Sequence, residues 1–255
     1  MFKFPMTDRI SIALILSLSL FTTGALYFSN VGVSSAQTAI PSSIRSKAAF
    51  NRTVRPVESE LKNAGFELGS KLYLRIFKKE RLLEAWLEKN GRFQLFKTYP
   101  ICTWSGRLGP KIREGDYQSP EGFYFLKPNS MNPSSDFHLS FNLGFPNAYD
   151  RGKGRTGSYL MIHGNCVSVG CYAMTDGVIE KLWVLTASAF RSGQPFIRVH
   201  IFPFRMTDRN MDAYAGSRWY RFWENLRQGH DLFHATGRPP NTIVRNRRYV
   251  FEAAN

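Results

Sequence analysis

The stretch HGNCVSVGC, residues 163–171, carries a histidine at its start and a cysteine at its end. A strand-like run leads into His163, and Cys171 lies shortly before the best-signalled helix of the chain. A strand end and a helix start can meet through the loop between them, which would bring imidazole and sulfur within hydrogen-bonding reach. A thiol attacks a carbonyl as its thiolate, and an adjacent base can generate that thiolate. We therefore take Cys171 as the candidate nucleophile and His163 as the candidate base.

Two further residues of this stretch favour the same chemistry. Gly170 permits the tight backbone that such a turn requires and lets a substrate carbonyl approach. Ser168 can form a hydrogen bond within the turn or to the substrate. The positive end of the helix after Cys171 would lower the pKa of the thiol if it pointed at the sulfur, and unpaired N–H groups there can bind an oxyanion.

The residues alone leave two alternatives open. The spacing of His163, Cys166 and Cys171 also suits zinc, although such spacing identifies zinc weakly. His138 or His200 would supply the fourth ligand, and a metal would leave no free nucleophile. The other alternative is structural, a histidine on a strand beside buried cysteines, because free cysteine often behaves as a small hydrophobic residue.

The region around this stretch is predicted to be mostly β. Three strands of a meander are expected at 72–77, 83–88 and 93–101, with the favoured hairpin turn Asn90-Gly91 between the last two. Further strands are expected at 122–126, 137–143, 158–162 and 196–202. One main helix follows the cysteine, with Thr175 or Asp176 as its cap and Gly193 at its end.

The N-terminal region predicts export. Lys3 and Arg9 precede an apolar run over residues 10–28, and small residues follow at 34–36. That order is typical of a secretory signal, and the run approaches the roughly 20 residues that span a bilayer. We therefore expect residues 1–36 to be a signal peptide or a membrane anchor, with the remainder in the periplasm or an equivalent extracytoplasmic space. An anchor would associate the protein with the membrane.

The charge of the chain indicates an anionic partner. The net charge is +15, and 43% of residues are hydrophobic, enough for a folded core. A basic balance of this size favours nucleic acid, anionic lipid or a polyanionic polymer such as the cell wall, or simply makes a solvated basic surface. No zinc finger or RNA-recognition signature is present, so we expect no nucleic-acid partner.

Composition divides the rest of the chain into three parts. Residues 37–70 are rich in Ser, Ala, Arg and Pro without a clear period and are predicted to be a linker with at most a short helix. Residues 71–204 hold the β-rich domain, and 205–255 form a basic, aromatic extension. An amphipathic helix in this extension is expected to pack back on the domain. The alternative is a helix at a membrane surface or on a partner.

The residues around the histidine and cysteine resemble the catalytic motif of the L,D-transpeptidases with a YkuD-type domain. That motif is His-Gly, a variable gap, and then Ser or Thr-x-Gly-Cys. Here SYLMIHG at 158–164 and SVGC at 168–171 fit it. Three other segments are also similar, namely EGDYQSPEGFY at 114–124, FNLGFPNAYD at 141–150 and GRTG at 154–157. The resemblance covers roughly residues 72–204.

The resemblance implies a mostly β, YkuD-like sandwich or barrel-like catalytic domain with one main helix after the nucleophile and a C-terminal helical extension. It implies Cys171 as nucleophile, His163 as base, and the carbonyl of Gly164 as the group that orients the imidazole. The substrate would be a stem peptide of peptidoglycan, attacked at a carbonyl to give an acyl-enzyme that passes to an amine or to water. No cofactor and no metal are expected.

The sequence departs from the usual family pattern in two ways. The gap after His163-Gly164 is short, and the usual SHGC is SVGC here, with Ala173 where a polar residue usually stands. Both departures fit a branch that reads HGxCxSxGCYAM, which resembles proteins associated with cutting a lipoprotein from peptidoglycan. The alternative to a transpeptidase is therefore an amidase that releases a wall-linked lipoprotein. A non-catalytic or zinc-stabilised wall-binding domain is a third possibility.

The cysteine count suggests one pairing. An exported chain with three cysteines leaves at least one thiol free or paired between chains. We expect a disulfide between Cys102 and Cys166 that leaves Cys171 free. Two unpaired buried thiols are the alternative.

Arg113 is a candidate substrate-binding residue. It lies in the segment that resembles a Gly-rich stretch of the family, and a guanidinium suits bidentate recognition of a stem-peptide carboxylate. A solvent-exposed loop charge is the alternative.

Overall fold

The computed structural model describes residues 39–253. The predicted signal peptide or anchor at 1–36 lies outside the described residues. Within residues 39–253, no helix is both long and apolar enough to cross a membrane.

The predicted meander strands lie close to their expected positions, whereas the strands expected at 137–143 and 158–162 are limited to Ser140–Asn142 and Met161–His163. In chain order they are β1 Leu72–Phe77, β2 Leu82–Lys89, β3 Arg92–Pro100, β4 Thr103–Trp104, β5 Gly122–Leu126, β6 Met131–Asn132, β7 Ser140–Asn142, β8 Met161–His163, β9 Tyr172–Ala173, β10 Ile197–Phe202, β11 Asn241–Arg245 and β12 Arg248–Glu252. The helices are α1 Ile44–Asn63, α2 Ala148–Gly152, α3 Asp176–Arg191, α4 Asp208–Ala213 and α5 Tyr220–Thr236, with a 3-10 turn at Pro128–Ser130.

The first sheet has five strands in the order β3-β2-β1-β10-β5. The predicted meander supplies β1 to β3, and Asn90 and Gly91 turn the chain with φ of 53° and 75°. Strand β1 pairs in parallel with β10 and antiparallel with β2. Every residue of β1 is buried, so this strand is covered on both faces.

The second sheet also has five strands, in the order β4-β9-β8-β7-β6. Its centre pairs β8 in parallel with β9, which joins His163 to Ala173 across the ladder. Both sheets and α3 contribute to the main core. Examples are Leu74 from the first sheet, Phe141 from the second sheet and Trp183 from α3. The prediction of a sheet-rich domain with one main helix after Cys171 is confirmed.

Helix α1 differs from the sequence expectation, because the 20 residues Ile44–Asn63 form a long helix where the sequence predicts a linker. Ser43 caps the helix by accepting a hydrogen bond from the Ser46 N–H. Its buried residues, Ser46, Ala49, Thr53, Val57 and Leu61, are three or four positions apart. Two of them are polar and Pro56 lies inside the helix, which hid the apolar period in the sequence.

The C-terminal extension packs back onto the domain, as expected from its sequence. Phe222, Trp223 and Leu226 of α5 are buried against Phe77 and Phe202 of the first sheet. Strands β11 and β12 form a separate antiparallel hairpin that the sequence reading missed. Its turn residues are Asn246 and Arg247, with φ of 49° and 58°, and the surrounding arginines concealed the turn.

One buried polar cluster connects the extension to the domain. The ammonium of Lys78 lies 3.1 Å from Glu121 Oε1, and both side chains are 0% exposed. Lys78 also donates to the carbonyls of Gly109 and Ser119 at 2.9 Å, and burial lowers its pKa. Glu121 Oε2 accepts a hydrogen bond from the indole N–H of Trp223 at 2.8 Å. The extension therefore satisfies a carboxylate inside the β-rich domain.

Candidate active site

His163 ends the central strand β8 and is only 2% exposed. Its Nδ1 lies 2.6 Å from the carbonyl oxygen of Gly164. A carbonyl oxygen only accepts, so Nδ1 carries the proton and donates. The neutral ring therefore keeps the lone pair of Nε2 free to accept a proton. This is the orienting contact that the family resemblance implied for Gly164.

Gly164 has no space for a side chain. A Cβ at this position would lie 2.5 Å from Asp176 Oδ1 and 3.1 Å from both His138 Cβ and Ile179 Cγ2. The glycine therefore allows the backbone carbonyl to approach the imidazole while the start of α3 packs behind it. Asp176 Oδ1 also accepts the N–H of Asn165 at 2.8 Å, which fixes the next residue of the loop.

We expect Gly164→Ala to destabilise the protein by about 1–3 kcal/mol, because an added methyl overpacks a filled site. It should also lower activity, since the carbonyl that orients His163 would move. Gly177→Ala is the matched control, because nothing lies within 4 Å of its Cβ position and it is helical. That variant should be neutral or more stable by up to about 1 kcal/mol. Urea denaturation measures the free energy of unfolding of both variants. An equal loss of stability in the two variants would contradict the packing argument.

Cys171 lies on the same face as His163. The pairs Ile162–Tyr172 and His163–Ala173 set the parallel register, which places Cys171 beside Met161. Alternate residues of a strand share a face, so Met161, His163 and Cys171 point to one side. The thiol is partly buried and lies 3.6 Å from the carbonyl oxygen of Tyr159, to which it can donate.

The site favours a neutral thiol beside a neutral imidazole. Burial raises the pKa of Cys171, against smaller opposing effects of the Met161 N–H and the charge of Lys111. Burial also lowers the pKa of His163, against the bond to Gly164. Both shifts disfavour a preformed thiolate–imidazolium pair. The arrangement can therefore work by proton transfer during attack, with His163 as general base.

Cys171 does not lie at the start of α3, so the condition for a helix effect on its pKa is not met. Strand β9 and the cap Thr175 separate Cys171 from the first residue of α3, Asp176. The helix start instead faces Asn165, whose N–H the Asp176 carboxylate accepts. The pKa of the thiol is raised, with burial as the main cause.

The connection between histidine and cysteine is held by a disulfide. Cys102 and Cys166 are bonded, with their Cα atoms 5.2 Å apart, and Cys171 is a free thiol. Asn165 and Cys166 both have positive φ, of 65° and 50°, so the short loop turns sharply. The bond anchors that loop to the segment before β4.

The zinc alternative does not fit these positions. Cys166 would have to coordinate as a free thiolate, yet its sulfur is bonded to Cys102. His200 lies in the first sheet, where its Nδ1 forms a hydrogen bond with the hydroxyl of Tyr73 at 2.7 Å. His138 contacts Glu180 at 2.7 Å. Across residues 39–253, no group of three or more potential ligands gathers around one point.

Three serine hydroxyls fix the backbone of the nucleophile. Ser168 Oγ and Ser119 Oγ donate to the carbonyl of Cys171 at 2.8 and 2.9 Å. The N–H of Gly170 donates to Ser105 Oγ. Gly170 has a φ of 118°, which accounts for a glycine there. Ser105 and Ser119 were not identified from sequence, because isolated serines in a loop carry no pattern.

The sequence also did not identify the residues that pack against His163 and hold the neighbouring loop. The ring of Phe137 lies 4.6 Å from the His163 ring, centroid to centroid. Arg45 of α1 holds this loop by donating to the carbonyls of Ser135 and His138 at 2.6 and 3.0 Å. The unexpected helix α1 therefore supports the wall of the site.

Arg113 lies on the loop before β5, and its backbone N–H donates to Asp116. It is exposed and lines a cavity together with Arg107 and Arg218, the last of which belongs to the C-terminal extension.

Two solved structures resemble this fold distantly. The helical cell shape determining protein Pgp2 from Campylobacter jejuni is 21% identical, with a TM-score of 0.43, over 69% of this chain and 65% of that one. Bd1075 from Bdellovibrio bacteriovorus is 19% identical, with a TM-score of 0.38, over 69% of this chain and 78% of its own. At these scores neither structure informs the function.

The sequence comparisons are more decisive. A protein of Escherichia coli (strain K12), which carries the provisional name L,D-transpeptidase YafK, is 48% identical over 195 residues. The match spans 76% of this chain and 78% of that protein. Residues 71–201 match the family model of the L,D-transpeptidase catalytic domain, YkuD. The matched residues include His163, Gly164 and Cys171. Because the family model and the relative both match over more than half of the chain, the chain belongs to the YkuD family of L,D-transpeptidase catalytic domains.

Proposed function

We propose that this protein catalyses acyl transfer on stem peptides of peptidoglycan through a thioester on Cys171. The family acts on peptidoglycan. The observation that carries the proposal is the free thiol of Cys171 on the same face as His163, whose Nδ1 is engaged by Gly164. This leaves Nε2 as the proton acceptor of the pair.

The first half-reaction transfers the peptide carbonyl to sulfur. Nε2 of neutral His163 accepts the thiol proton as Sγ of Cys171 bonds to the carbonyl carbon. Collapse of the tetrahedral intermediate breaks the C–N bond, and the imidazolium of His163 returns the proton to the departing amine. A thioester and neutral His163 remain, so protons and charge balance.

The second half-reaction uses the same groups. An acceptor gives a proton to His163 while it attacks the thioester, and the proton then returns to the sulfur of Cys171. An amine acceptor gives a new amide bond, which is transpeptidation. Water gives a free carboxylate, which is the amidase alternative that would release a wall-linked lipoprotein. The short connection from Gly164 to Ser168, typical of that branch, keeps hydrolysis as the second candidate.

The proposal includes an extracytoplasmic location. The disulfide between Cys102 and Cys166 supports it, because such bonds persist in oxidising compartments. The apolar run at 10–28 after Lys3 and Arg9 supports export as well.

Incubation with purified muropeptides tests the proposal, with products read by mass spectrometry. We expect either new cross-links, which indicate transfer to an amine, or shortened peptides, which indicate hydrolysis. Iodoacetamide provides a direct control, because Cys102 and Cys166 are paired and Cys171 is left to alkylate. Products from the alkylated protein, or none from the untreated protein on any muropeptide, would refute the proposed function.

A further inference from the structure

A basic cavity lies between the loop before β5 and the C-terminal extension. It has a volume of about 590 Å³, and Arg107, Arg113 and Arg218 line it. We call it the arginine cavity. All three residues are exposed, and no ion pair found within residues 39–253 involves any of them. Three unpaired guanidinium groups around one space form a site for an anion.

The carboxylate at the edge of the cavity does not neutralise these arginines. Asp116 also lines the cavity, but its Oδ1 lies 2.6 Å from Lys111 Nζ. Its Oδ2 accepts the backbone N–H groups of Ile112 and Arg113 at 2.8 and 3.1 Å. Asp116 therefore shapes the loop, and its charge is already compensated.

The C-terminal extension builds one wall of the arginine cavity. A Cβ added to Gly109 would overlap the indole of Trp219, so this ring packs directly on the loop backbone. The guanidinium of Arg218 lies 4.7 Å from the centre of the Trp219 ring. Stacking on an aromatic face leaves the N–H groups at the guanidinium edge available to a ligand. Trp219 thus positions a charge that lies outside the matched family domain.

One wall of the arginine cavity contacts the nucleophile loop. Gln118 lines it and donates to the Gly109 carbonyl at 2.8 Å. The backbone oxygen of Gln118 lies 3.8 Å from the Cβ position of Gly170. The next residue, Ser119, donates to the carbonyl of Cys171. The segment that lines the cavity is therefore the one that contacts the nucleophile loop, which places the cavity beside the candidate active site.

We propose that the arginine cavity binds a carboxylate of the peptide substrate and that Arg218 makes the C-terminal extension a specificity element. This inference rests on the proposed function, because it assigns a subsite to the same reaction. Peptide substrates of a wall polymer carry free carboxylates, and planar guanidinium groups bind these bidentately. Arg218 is already positioned at the cavity, because it stacks on Trp219, which packs on the backbone of Gly109.

Arg218→Ala tests this inference against Arg221→Ala as a matched control. Arg221 is an exposed arginine of α5 that does not line the cavity. We expect Arg218→Ala to raise KM for a carboxylate-bearing muropeptide roughly tenfold or more, with kcat within about twofold. Arg221→Ala should leave both unchanged. The effect of Arg218→Ala should disappear with a muropeptide whose carboxylates are amidated.

A binding measurement separates failure of the subsite from failure of the reaction. Calorimetry with the inactive Cys171→Ala protein gives the Kd of the same muropeptides without turnover. Equal Kd values with and without the additional Arg218→Ala change would overturn the subsite, while alkylation could still block activity. A loss of binding that appears only with Arg218→Ala would support the subsite even if no products formed.

Discussion

Cys171→Ala is expected to reduce product formation by at least about 10³-fold, to the background of the assay. The acyl-enzyme needs a sulfur at this position, and no neighbouring thiol can replace it because Cys166 is bonded to Cys102. Cys171→Ser should be nearly as inactive. A neutral imidazole has to deprotonate a hydroxyl far less acidic than a thiol, and the site that already raises the thiol pKa disfavours an alkoxide further.

The measurement is mass spectrometry of muropeptide products from each variant, with the intact protein weighed for a covalent adduct. Cys171 is only partly buried, so thermal unfolding should change little in either variant and serves as the folding control. Product formation by folded Cys171→Ala would reject the nucleophile. An adduct on wild-type protein that maps elsewhere would do the same.

His163→Ala is expected to lower kcat by roughly 10²–10⁴-fold, the range that positioned acid–base groups supply. Neutral His163 receives the thiol proton, so activity should rise with pH as the imidazolium loses its proton. Burial lowers the pKa of His163 from its ordinary 6.5, which places this acid limb below pH 6.5. The variant should lack the limb, because alanine has no group that titrates.

Initial rates across pH 4–9 check this prediction. His234→Ala is a suitable control, since that imidazole lies on α5 and contacts Arg75, 3.3 Å away, in the first sheet. The control should keep both kcat and the acid limb of the wild type. An unchanged limb in His163→Ala would assign the titration, and the role of base, to another group.

The sequence predicted the strands and the helix whose signals lie within their own residues. Strands β1 to β3 alternate or run apolar, and Asn90-Gly91 marks their turn. Helix α3 carries a cap, a period and a stop signal in its own residues. The pairing of a histidine with a cysteine was also suggested by local order, as a strand end followed by a loop.

Other features depend on contacts that no local pattern records. Helix α1 buries Ser46 and Thr53, whose polarity hides the face that packs on the domain. Ser105 and Ser119 reach the nucleophile loop from distant segments. The distance in sequence between Cys171 and the start of α3 was not readable either, because the intervening strand β9 is too short to be distinguished from a loop.

The buried cluster of Lys78, Glu121 and Trp223 affects how the protein reaches its folded state. The partner of the Glu121 carboxylate on α5 is made near the end of the chain, long after β1 and β5. Until that helix docks, the face of β1 that it covers is exposed, and Glu121, two residues after Ser119, lacks the hydrogen bond from Trp223. We therefore expect docking of α5 to be a late step of folding. Proteolytic loss of α5 is therefore expected to disturb the loop that holds the backbone of Cys171, although the cleavage would lie outside the family domain.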